Sequence, residues 1–113
     1  MINEQKLDDI LLELGHDDFS LGTAYLRQAV KTYEPGMTMT KDLYPGVAKA
    51  VGSTGARVER CMRHSIEKAW MRGSEEARLR YFGNSIDPQS GRPTVGEYVA
   101  RLARLARQAG GQE

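Results

Sequence analysis

Five side chains in one run of eight residues could read a nucleic acid. They are Arg57, Glu59, Arg60, Arg63 and His64, in Arg57-Val58-Glu59-Arg60-Cys61-Met62-Arg63-His64. Arginine presents a planar fork that can bond O6 and N7 of one guanine. Glutamate can accept a hydrogen bond from the N4 amine of cytosine; its charge repels phosphate, so it adds selectivity rather than affinity. Just ahead, Ser53 and Thr54 could hold a phosphate together with the free N–H groups of a helix start. At about 100° per residue, Arg57, Arg60, Arg63, His64 and Glu67 fall on the side opposite Val58 and Met62, with Glu59 near the edge. The plain alternative is a solvated face, its arginines paired with Glu59 and Glu67 at i+3 or i+4 for a few tenths of a kcal/mol each.

Other chemistry-bearing residues form no comparable group. His16 sits beside Asp17 and Asp18 and is expected in a polar turn, where no further ligands follow at metal spacing. Cys61 is expected to pack rather than react. Arg101, Arg104 and Arg107 recur along one side of the last helical pattern, where they are expected to meet solvent and the helix dipole, with auxiliary phosphate contact as the alternative. Two histidines and one cysteine make no acid–base pair or metal cluster, and no glycine-rich phosphate loop is present. The expectation is a protein without enzymatic activity, cofactor or metal.

The elements that must position the arginines are helical. Leu7, Ile10, Leu11 and Leu14 fall at i, i+3, i+4 and i+7 and predict a helix over about 3–14, stopped by Gly15. Ser20 can cap a second helix with Leu21, Ala24, Tyr25, Gln28 and Ala29 at helical spacing, ended by Glu34-Pro35-Gly36. Thr40 opens a third element with apolar positions Leu43, Val47, Ala50 and Val51, Pro45 beginning its helical turn and Gly52 ending it. The strongest pattern follows: Val58, Met62, Ser65, Ile66 and Ala69 form one face, bordered by Cys61 and Trp70, in a helix from near Thr54 to about Met71. Ser74 to about Tyr81 predicts a short helix. Residues 84–93 read as a loop. Thr94 caps a last helix with Val95, Tyr98, Val99, Leu102 and Ala106 inward, and the tail from Gly110 is expected to fray. Trp70 and Tyr98 are expected core anchors.

Strand alternation is scarce, so the fold class expected is all-α, a compact bundle of about six helices forming one domain over 1–113. Within it, two helices joined by a turn near Gly52-Ser53-Thr54 give a helix-turn-helix at about 45–71, whose second helix enters the major groove. Composition permits this. The 113 residues are 40% hydrophobic and 27% charged, enough for one core without a staple. A net charge of +1 does not itself announce nucleic acid; what matters is where the sixteen basic residues sit. One cysteine suggests a reducing compartment. With no basic start followed by an apolar run and no stretch near bilayer length, the expectation is a soluble, cytoplasmic protein with no membrane partner.

The run Thr40-Lys41-Asp42-Leu43-Tyr44-Pro45-Gly46-Val47-Ala48-Lys49, followed by Arg57-Val58-Glu59-Arg60, Arg63-His64, Ile66-Glu67 and Ala69-Trp70, resembles the effector domain of the sporulation response regulators, the stage zero sporulation protein A family. Glu13-Leu14-Gly15, Gly22 with Tyr25-Leu26-Arg27, Arg72-Gly73, Phe82-Gly83 and Pro93-Thr94 with Glu97-Tyr98 agree in order and spacing, so the similarity covers nearly the whole chain. The resemblance implies a six-helix transcription regulator of spore-forming Firmicutes that binds T-G-T-C-G-A-A-like elements, often as head-to-tail pairs on tandem sites. It implies that Arg57, Glu59 and Arg60 face the bases, and that Arg63 and His64 support them or touch phosphate. It implies contact with a sigma factor of RNA polymerase through about Gly73–Phe82.

Departures accompany it. The 113 residues hold no phosphoacceptor receiver domain, so an effector without its own aspartyl switch is expected, unless the chain is a fragment. Ala56 stands where the family has a polar residue, Gly110 and Gly111 replace a late basic region, and Glu75-Glu76-Ala77-Arg78-Leu79-Arg80 is more charged than the family pattern. The connection before the third helix is shorter. The lead expectation is a sequence-specific DNA-binding regulator. The rival is a receiver-less interaction module that binds a protein partner or occupies sites without activating.

Overall fold

The order of helices follows from where the chain can cap and stop them. The computed structural model describes residues 2–83 and 91–111, and comprises α1 (Glu4–Glu13), α2 (Leu21–Thr32), α3 (Tyr44–Val51), α4 (Gly55–Arg72), α5 (Glu75–Phe82) and α6 (Val95–Gly111). Side-chain oxygens of Asn3, Ser20, Thr54 and Ser74 accept from the N–H groups of Lys6, Thr23, Arg57 and Ala77, supplying orphan donors of the first turns with partners. Thr94 and Glu97 cap α6 reciprocally: Glu97 N–H donates to Thr94 Oγ1 at 3.1 Å, and Thr94 N–H to Glu97 Oε1 at 2.8 Å. The fold is all-α, with no strand among the described residues. No described helix is long and apolar enough to cross a membrane.

The core is the sum of the helical stripes. Leu7, Ile10, Leu11 and Leu14 of the α1 region, Leu26 and Val30 of α2, Val58, Met62 and Ile66 of α4, and Tyr98, Val99 and Leu102 of α6 are all 2% exposed or less. Two glycines allow the tight approaches around α4. A Cβ on Gly22 of α2 would lie 2.6 Å from the Cys61 carbonyl oxygen and 2.6 Å from Ser65 Cβ. A Cβ on Gly73, just past α4, would run into the carbonyl oxygen of Leu14.

Several expectations are corrected. The third element opens at Thr38, not Thr40. A π-helical turn, Met39–Leu43, precedes α3. Leu43 N–H reaches back five residues to the Thr38 carbonyl at 3.0 Å, and Asp42 Oδ2 accepts from Thr38 N–H at 2.8 Å. Pro45 has no N–H to give, so the wider turn brings the chain into α3 without a broken ladder. Ala50 is exposed rather than inward; Val47 and Ala48 form the buried side of α3, with Val51 half-buried. α6 continues through Gly110 and Gly111, where fraying was expected. Most of the expected loop, residues 84–90, lies outside the described residues.

The last helix also uses its arginines differently. Arg101 Nε donates to the Tyr81 carbonyl at 2.6 Å and Arg107 Nη2 to the Tyr33 carbonyl, so both are half-buried ties to the ends of α5 and α2. Only Arg104 of the three is exposed. His16 is not in an open polar turn. It is 4% exposed, with Nδ1 2.8 Å from Ser65 Oγ of α4 and Nε2 2.6 Å from the Tyr98 hydroxyl of α6. Tyr98 is fully buried as expected. Trp70 sits half-buried at the rim, donating to the Gly91 carbonyl at 2.6 Å and packing edge-on against Phe82.

Candidate nucleic-acid interface

α3 and α4 are joined by three residues, Gly52, Ser53 and Thr54. Gly52 takes the left-handed conformation at φ +70°, which a side chain would strain. Its N–H and that of Ser53 both return to the Ala48 carbonyl, closing the end of α3. Thr54 then turns extended, and its Oγ1 accepts from Arg57 N–H at 3.2 Å. This is the layout of a helix-turn-helix, with the eighteen-residue α4 as its second member.

α4 buries Val58, Met62, Ile66 and Ala69 and turns Arg57, Arg60, Arg63 and His64 outward; all four of these are exposed. The arginines are not equivalent. Among the described residues no carboxylate lies within ion-pair distance of Arg57 or Arg60. Arg63 Nε donates to Glu59 Oε2 at 3.0 Å, the i+4 pair anticipated as the plain reading. Glu67 pairs instead with Arg92, from the segment before α6, at 2.9 Å.

Glu59 is half-buried, its side chain 32% exposed. It stands with Tyr44 and Arg63 on the divide between two open grooves. One, about 530 Å³, runs between α4, Met39 of the π-helical turn and the start of α6 at Arg92–Gly96. The other, about 470 Å³, borders Thr40, Gly55, Ala56 and Arg60. Burial, and to a lesser degree the charge of Glu59, raises the pKa of the Tyr44 hydroxyl. Thr54 is exposed at the tip of α4. Ser53 is half-buried, and its Oγ is sealed from solvent without a hydrogen-bond partner.

The structure therefore brings Thr54, Arg57, Arg60, Arg63 and His64 to one outward surface, sets Glu59 at its edge, and turns the Ser53 hydroxyl inward. Sequence reasoning missed Tyr44 and Arg92. A basic residue next to the Pro93-Thr94 helix start was the signal for Arg92, but its pairing with Glu67 spans 25 positions and leaves no periodic trace.

A helix-turn-helix whose second member turns arginines outward is the layout that DNA-binding proteins built on that unit use. Comparison with known families makes this specific. The family described as sporulation initiation factor Spo0A C terminal matches residues 7–105, and the chain belongs to that family. It is accordingly a DNA-binding, transcription-regulating domain associated with the initiation of sporulation.

Proposed function

We propose that these 113 residues act as one cytoplasmic effector domain that binds duplex DNA sequence-specifically, placing α4 in the major groove of a T-G-T-C-G-A-A-like element. The observation that carries the reading is the pair of exposed arginines, Arg57 and Arg60, one turn apart and without carboxylate partners among the described residues. Among the described residues no carboxylate in contact offsets either guanidinium, so both can present their full charge and donor fork to a base.

In this reading Arg57 and Arg60 fork onto guanines, and Glu59 accepts from a cytosine amine. Arg63 keeps Glu59 oriented through Nε, and His64 lies toward the backbone. Thr54 and the first N–H groups of α4 hold a phosphate at the helix start. Ser53 joins them by rotating its hydroxyl outward, which gives that orphaned oxygen the partner it lacks in the free protein. The chain works by binding rather than catalysis. The same reading includes pairing of two copies on tandem elements and contact of α5 with a sigma factor, both carried over from the resemblance to the family. In α5, however, Arg78 is half-buried and donates to the Trp70 and Gly73 carbonyls, so Glu75, Glu76, Leu79 and Arg80 are the outward residues, with Arg80 bonded to Glu13 and Glu76.

Selection of bound duplexes from a random pool tests the reading. Recovery of a common element containing a T-G-T-C-G-A-A-like core is expected. A folded chain that retains no duplex at low salt would instead favour a module that binds a protein partner.

A further inference from the structure

We propose that Arg92, outside the recognition helix, is a phosphate-contacting residue of the same DNA interface, carried onto the face of α4 by Glu67. The inference rests on the reading that α4 enters the major groove. Glu67 follows Arg60 by seven residues, so it lies about 20° from it around the helix and about 10 Å further along. Arg92 Nη2 meets Glu67 Oε2 at 2.9 Å. The bridge thus draws a cation from the start of α6 onto the line of the base-facing arginines. Even while bonded to Glu67, the Arg92 side chain keeps 51% of its surface exposed.

The charge pattern of the face favours the same role. Two carboxylates, Glu59 and Glu67, stand on a surface that must approach phosphates. Arg63 offsets the first and Arg92 the second. Without Arg92, Glu67 would present an uncompensated negative charge to the DNA backbone. Arg92 also lines the open groove that Glu59, Tyr44 and Arg63 border, so the segment before α6 flanks the helix on the side where one strand would pass. A phosphate contact of this kind carries no base information and shows itself as salt dependence.

The experiment measures affinity between 50 and 200 mM salt for the parent, Arg92→Ala and Arg92→Lys, on a duplex recovered by selection and on a scrambled duplex. Each phosphate contact adds roughly 0.9 to the slope of log affinity against log salt, so the deficit of Arg92→Ala should shrink about threefold over that range. The ratio of specific to scrambled affinity should stay unchanged, and Arg92→Lys should keep the parent slope. A parent slope in Arg92→Ala, with helicity intact, overturns the inference and leaves Arg92 a structural tie. A changed affinity ratio with an unchanged slope does the same. A parent that binds neither duplex overturns the functional reading and this inference with it.

Discussion

An arginine beside a carboxylate and one without a carboxylate have different uses on the same helix. Arg63 is held by Glu59, and the exposed pair is worth little to stability, at most about 1 kcal/mol. Its value is orientation. Among the described residues no carboxylate lies within ion-pair distance of Arg57, so its fork is available. Arg57→Ala should therefore weaken specific binding by about 1–3 kcal/mol and relax base choice at one position. Equal affinity of Arg57→Ala and parent on a T-G-T-C-G-A-A duplex, in a gel-shift series, would defeat that assignment. The outward arginines were legible because helical periodicity alone separates Arg57, Arg60 and Arg63 from Val58 and Met62. What periodicity cannot show is which cation meets which anion. The Arg92–Glu67 contact, the inward turn of Ser53 Oγ and the Tyr81 carbonyl under Arg101 all depend on how distant segments pack.

At the scale of elements, caps and stops were readable and their departures have local causes. Ser20 and Thr94 cap where their side chains predicted, because the chemistry of a first turn needs only neighbours in sequence. The π-helical turn was not readable, since it depends on Thr38 and Asp42 closing a loop ahead of a proline. The spacing of α2 from α4 is likewise set by Gly22, whose role no local pattern announces. Gly22→Ala places opposed effects in competition. Helix propensity favours alanine by about 1 kcal/mol. The added Cβ, however, would meet a backbone carbonyl oxygen of α4 at 2.6 Å, and a backbone atom cannot swing aside. Overpacking of this kind costs about 1–3 kcal/mol and requires α2 to separate from the recognition helix. A net loss of stability in denaturant unfolding is expected, with weakened DNA binding; a net gain would mean that the two helices separate freely.

Across the whole molecule, one buried polar chain holds three parts together. His16, from the turn between α1 and α2, stands between Ser65 on α4 and Tyr98 in α6. Sequence placed this histidine in a wet turn because Asp17 and Asp18 follow it, and the long-range partners that seal it were invisible there. Either neutral tautomer can be satisfied, since both neighbours are hydroxyls that donate or accept. Protonation would not break the bonds; it would leave a charge in a dry site. Burial chiefly, with Arg27 adding and Asp17 opposing, lowers the His16 pKa from 6.5 to about 4. Above pH 6.5 both folded and unfolded chains carry it neutral. Between 6.5 and 4 the unfolded chain takes up the proton and the folded one does not, so stability falls as the pH falls. From pH 7 to pH 4.5 this one group should remove roughly 2.5 kcal/mol. Urea unfolding of the parent and His16→Gln at both pH values isolates it, because glutamine does not titrate. The acid loss in His16→Gln should be smaller than the parent's by about that amount. If both chains lose the same stability on acidification, other groups govern it, and the buried chain linking the helix-turn-helix to α6 does not resist protonation.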